Sequence, residues 1–218
     1  MARKKTISKN DLRSWYMDFV LEHGEHPKSV FAFAKMYNFE EAKFYDYFGS
    51  FESIEKNIFT TFFTNTLKVL EKSEDYQNFD ARNKLLSFYY TFFENLTANR
   101  SYVKWVLDRY KTNFKGLKVF SDLKRHFSDY ISQLGIETLD LKQEKLEKIQ
   151  DRALKESAWI QLVLTMKFWL DDTSPSFEKT DIFIEKSVNT TFDVLNIAPI
   201  QSVLDLGKFL FKEKLQMG

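Results

Sequence analysis

The chain has 218 residues, with 32 Lys and Arg against 31 Asp and Glu, no cysteine, three prolines and six glycines. Absence of cysteine excludes a disulfide scaffold and thiolate chemistry. Scarcity of Pro and Gly argues against a turn-rich all-β fold, and a formal net charge of +1 gives no global pull toward nucleic acid. With 44% apolar residues, 23 of the 218 being Phe, there is enough chain for a real core in one or two domains.

Apolar residues recur at helical spacing from one end to the other, so the expected class is all-α. A first helix carries Leu12, Trp15, Tyr16, Phe19 and Val20, with Asn10 as its cap and Gly24 as its stop. Ser29 caps a short second helix with Val30, Phe33 and Ala34, and Asn38 suits the left-handed turn after it. A third short helix runs from about Glu40 to Tyr47. Gly49-Ser50 then opens a fourth with Ile54, Ile58, Phe62 and Phe63. Leu85, Phe88, Tyr89, Phe92, Phe93 and Leu96 form a broad apolar face over three turns. Further helices are expected from about Arg100 to Lys111, Gly116 to Leu134 and Gln143 to Leu170. Asp171-Asp172-Thr173-Ser174-Pro175 breaks the last of these. A helix bearing Ile184, Val188, Thr191, Phe192 and Leu195 follows, then Pro199 and an amphipathic tail from about Ile200 to Leu215.

The chemistry-bearing patterns are sparse. The sequence has no glycine-rich phosphate loop, no Gly-x-Ser-x-Gly and no His-Glu-x-x-His. His23 and His26 have only Glu22 and Glu25 nearby, too few for a zinc site. Asp171-Asp172 reads as loop. No enzyme activity, metal or cofactor is expected. The most apolar stretch, Trp159 to Leu170, contains Gln161 and Lys167 and is too short to span a bilayer. No apolar run follows the basic start, so a cytoplasmic chain is expected.

Three short helices before long ones describe a helix-turn-helix head on a helical body, in which a second helix positions the chain and a third presents side chains to the major groove. Phe44-Tyr45-Asp46-Tyr47-Phe48-Gly49-Ser50, followed by Glu52-Ser53-Ile54, resembles the signature closing the DNA-binding head of the TetR family of bacterial transcriptional regulators. Leu21-Glu22-His23-Gly24 is similar to the end of that family's first helix, and Ala34 and Phe39 to its packing positions. The motif covers about Leu12 to Ile58. Phe168 to Leu195 is also similar to C-terminal domains assigned to the family.

The resemblance implies a head over residues 1–55 and a ligand-binding and dimerisation domain over 56–218. It implies a homodimer that grips a double-stranded operator and releases it on binding a hydrophobic or aromatic small molecule, most simply as a repressor. The alternative is a member that has lost DNA binding and holds a lipid or other hydrophobic molecule. The DNA-facing candidates are Arg3, Lys4, Lys5, Lys28, Ser29, Glu40, Glu41, Lys43, Tyr45 and Tyr47. Phe31, Glu40-Glu41 and Phe51 stand where the family commonly has cations or hydroxyls, and the third helix sets three acids against one lysine. Glu40 and Glu41 read as first-turn complements to the helix dipole, as a lost DNA contact or as base readers. Tyr89, Phe92, Phe93, Tyr102, Trp105, Tyr110, Phe127 and Trp159 are either core or the lining of a cavity between helices. Ile149, Ala153, Ile160 and Leu164, with Ile184, Val188, Phe192 and Leu195, are the dimer candidates on two helices of a four-helix interface.

Overall fold

Ser8 opens the first helix, not Asn10: its hydroxyl accepts from the Asp11 amide and Asp11 returns a bond to the Ser8 backbone, a reciprocal cap. Asn10 instead accepts from Arg13 one turn on. The computed structural model describes residues 7–110, 116–136 and 144–195, and every regular element among these is helical. They are α1 (Lys9–His23), α2 (Val30–Met36), α3 (Glu41–Tyr45), α4 (Phe51–Leu70), α5 (Glu74–Asn78), α6 (Ala81–Ala98), α7 (Arg100–Tyr110), α8 (Gly116–Val119), α9 (Ser121–Gln133), α10 (Glu144–Asp171) and α11 (Glu178–Leu195). A single 3₁₀ turn, Pro175–Phe177, precedes α11.

Several predicted boundaries hold. Gly24 takes φ 71 after α1, Asn38 takes φ 56 after α2, and the Ser29 and Ser50 side chains cap α2 and α4. Others move. The third helix is shorter than expected, and the helix expected from Gly116 to Leu134 breaks at Phe120 into α8 and α9. Helix α5 carries too few apolar residues to announce itself by periodicity; Ser73 caps it and Tyr76 is its one buried side chain. Pro199 and the Ile200 to Leu215 tail lie outside the described residues.

The chain divides into two compact units. The first runs to Lys72 and resumes over Thr91–Phe127; the second is Ser73–Tyr90 and the chain from Ser128 onward. The expected head, residues 1–55, falls inside the first unit, which also takes in α7 and α8. There α1 packs on α4 and α7, α2 on α3, and α8 on α4 and α7. Phe33 is the hub of the head: fully buried, it meets Phe39, Phe44 and Phe51 edge to face at 5.8, 6.5 and 5.7 Å. Rings at these distances add to the area they bury. Phe51, which stands where the family commonly has a cation, belongs to this cluster and also stacks on Tyr16 at 5.6 Å.

In the second unit α10 packs on α11, with Gln161 donating to Ser187 and accepting from Thr191. Arg82 at the start of α6 bonds Asp193 at 2.7 Å and lies over the Phe192 ring. Tyr76 and Tyr130 share a hydroxyl contact of 2.9 Å, and Tyr130 also donates to the Lys84 carbonyl.

Candidate nucleic-acid interface

The face expected to read DNA is built on one capped helix and a buried ring. The Ser29 hydroxyl accepts from the Ala32 amide, so its side chain is already engaged at the start of α2. Phe44, buried, anchors α3 from below, which leaves Ala42, Lys43, Tyr45 and Asp46 outward. Lys43 bonds Asp46 at 2.9 Å, and that bond and charge raise the ammonium's pKa. The α3 cation is thus shared with a carboxylate on the same face. Glu40 sits at the cap position, where its carbonyl accepts from the Lys43 amide at 2.8 Å and its side chain makes no capping bond, and Glu41 lies in the first turn, where an acid complements the helix dipole. Tyr45 is 55% exposed. Tyr47 donates to the Ile7 carbonyl at 3.3 Å, so the chain entering α1 passes the end of α3. Lys28 is exposed, and Phe31 presents 61% of its surface. Arg3, Lys4 and Lys5 lie outside the described residues.

A polar cluster that periodicity missed sits behind this face. Glu55, on α4, is fully buried and accepts from Tyr16 at 2.8 Å and Arg109 at 3.2 Å. With its proton on Glu55, the Tyr16 phenol accepts from His26 Nδ1 at 2.6 Å, which assigns the imidazole proton to that nitrogen. Burial, reinforced by the Arg109 charge, holds His26 down to about 4. The same burial pushes the Tyr16 phenol well above its usual range, helped by the Glu55 charge. The available signal was a lone acid among Ile54, Ile58, Phe59 and Phe62 on an apolar helix face. Arg13 adds a second tie, donating to Asn57 and Thr61 of α4 at 2.8 and 2.6 Å.

The aromatics expected around an effector do not gather in one unit. Phe92, Phe93, Tyr102, Trp105, Tyr110 and Phe127 fall in the first unit, Tyr89 and Trp159 in the second. Tyr89, Phe92, Tyr102 and Phe127 are fully buried, Phe93 and Trp159 nearly so. Trp105 is half-buried and donates to the Gly24 carbonyl at 3.1 Å, a packing role at the end of α1. The Tyr110 side chain is outside the described residues. An open groove of about 460 Å³ lies elsewhere in the second unit. Leu164, Lys167, Phe168, Asp171, Asp172, Thr173, Lys179 and Phe183 line it, none of them among the expected set. Its floor is the stacked Phe168 and Phe183 rings, 4.6 Å apart.

The α10 and α11 dimer candidates separate. Ile149, Ile160 and Leu164 are more than half exposed and Ala153 is exposed, an apolar stripe along α10. Ile184, Val188 and Phe192, expected at the same interface, are buried within the chain, where their apolar face packs into the fold itself. The large apolar side chains that α11 exposes are Ile182 and Val194. Leu195's side chain lies outside the described residues.

Asp172, expected in a loop, organises the α10–α11 corner. It accepts from the amide and hydroxyl of Ser174 and of Thr180 at 2.6 to 2.9 Å. Burial raises its pKa, but the four donors outweigh burial and hold the carboxyl below the ordinary range. No group of three or more acids or histidines suited to a metal occurs among the described residues, and no described helix is long and apolar enough to cross a membrane.

Residues 84–210 match the family model for the tetracyclin repressor-like C-terminal domain, more than half of the chain and none of the head motif. No curated protein matches the chain.

Proposed function

We propose, for a chain that belongs to the tetracyclin repressor-like family, that it is a homodimeric DNA-binding transcriptional regulator, in the simplest case a repressor. Its operator grip would change when a hydrophobic or aromatic small molecule binds, and it would work in the cytoplasm. The observation that carries this reading is the helix-turn-helix itself. Helices α2 and α3 meet across a left-handed Asn38 and stand on buried Phe33, Phe39 and Phe44, while Lys28, Lys43, Tyr45 and Tyr47 point outward. Such a pair places a reading helix in the major groove, and a dimer spaces two of them about one helical turn apart. The exposed stripe Ile149, Ala153, Ile160 and Leu164 on α10, with Ile182 and Val194 exposed on α11, supports an isologous interface. The number of aromatics buried among the helices favours an apolar effector.

The test is fluorescence anisotropy of the purified dimer on duplexes from the DNA flanking its own gene, between low and physiological salt. The expected result is a salt-sensitive complex with a palindromic footprint. A dimer that binds no duplex even at low salt would remove the regulator reading. A second reading has its own observation: Lys43 is paired with Asp46 on a helix that starts with Glu41 behind Glu40 at its cap. That head would repel phosphate, and the chain would be a binder of a lipid or similar molecule. Native mass spectrometry of purified protein would then show an apolar adduct.

A further inference from the structure

Glu55 stands on α4 among Ile54, Ile58 and Phe59, and its side chain is wholly removed from solvent. A carboxylate at such a position is expensive to bury unless its partners are fixed. Here they come from three separate places. Tyr16, of α1, and Arg109, of α7, bond the carboxylate directly, and His26, between α1 and α2, bonds Tyr16 and lies 3.8 Å from the carboxylate. All lie in the first compact unit. Arg109 lies flat over Trp105 one turn earlier, 4.7 Å from the ring centre, and Trp105 donates to the carbonyl of Gly24, the residue that ends α1. His26 meets the Trp105 ring edge-on at 5.3 Å. Two α7 side chains thus grip the corner between α1 and α2. The stretch matched as the C-terminal family domain includes α7, whereas Tyr16, His26 and Glu55 all precede it.

We propose that Glu55 and Arg109 form a positioning pair that locks the α1–α2 corner of the head onto α7, so that movement of α7 re-aims the reading helix. An apolar pair would hold these helices as firmly, because a buried ion pair is seldom more stable than its hydrophobic replacement. What the pair adds is direction and reversibility. The guanidinium bonds at a fixed angle, and about a third of the Arg109 side chain is exposed, so it can leave for water. Glu55 has no such exit, and its loss of the arginine leaves a charge that α1 and α4 must rearrange to accommodate. The proposal rests on the regulator reading for its purpose, but not for its test.

Hydrogen exchange by mass spectrometry on the full chain, comparing wild type, Arg109→Ala, Glu55→Gln and the double variant, reads the lock directly. Arg109→Ala should speed exchange in α1 and in residues 24–29 by roughly tenfold or more while α10 stays unchanged. The double variant should add little to the larger single effect. Glu55→Gln carries the greater risk to folding, so partly exposed Arg109 carries the test. A folded Arg109→Ala protein with wild-type exchange in α1 and residues 24–29 would overturn the lock, as would single effects that simply add. Duplex binding forms a separate arm: a wild type that binds no DNA removes the regulator reading and leaves the exchange result standing.

Discussion

His26 is an imidazole held uncharged among Tyr16, Phe51 and Trp105, and its neutrality has a measurable sign. Its folded pKa is lowered from 6.5 to about 4, so between those values the unfolded chain binds a proton that the folded chain refuses. Stability should therefore rise with pH across that window. Urea midpoints from pH 4 to 7 should show this slope in wild type and a flatter one in His26→Asn. Asp172 runs by the same linkage from the other side. Its folded pKa lies below 3.8, so its contribution is complete above that value and is lost as pH falls below it. Asp172→Ala should lose about 2–3 kcal/mol at neutral pH, read from denaturant unfolding, because it abandons donors to a charged acceptor. Neither role was legible in sequence. Both side chains sit near helix ends, where polar residues are ordinary, and only the fold shows which donors converge on them.

At the scale of elements, α3 is the sensitive piece. Asp46→Asn should free Lys43 and raise duplex affinity, steepening the salt dependence by about one counterion; unchanged slopes would mean that this end of α3 does not face phosphate. Asn38→Val should cost about 1–2 kcal/mol in thermal or urea unfolding, since φ is 56 there and a β-branched residue resists the left-handed region. The turn was readable from Asn38 and the caps from Ser29 and Ser50, because local chemistry decides both. The length of α3 was not. Glu40 to Tyr47 has helical composition throughout, yet after Tyr45 the chain closes with a tighter bond from the Tyr47 amide to the Phe44 carbonyl, a choice that composition does not show. Phe51 stood out in sequence only as a departure from the motif, and which rings it would meet, Tyr16 and Phe44, is visible only in the fold.

For the whole molecule, periodicity identified the helical class and both long apolar helices, yet it could not say which apolar face goes inward. Ile184 and Ile160 look alike in sequence; the first is buried and the second is 56% exposed. The difference sets up a prediction. Leu164→Asp should convert the expected dimer to a folded monomer in analytical ultracentrifugation. Ile184→Asp should unfold the chain, since it buries an unpaired charge. A dimer that survives Leu164→Asp would remove the α10 stripe from the interface.

A reading helix of only five residues also limits how much sequence a head can see. At 1.5 Å per residue it is about 7.5 Å long, roughly the rise of two base pairs, so two heads would inspect about four by direct contact. A word that short recurs on the order of every few hundred positions in random DNA, whereas a genome offers about a million or more competing sites. A regulator of the proposed kind would draw its selectivity from the bend and groove width of the duplex and from the distance between half-sites. Inserting two base pairs between half-sites should therefore harm binding more than changing a base under either head.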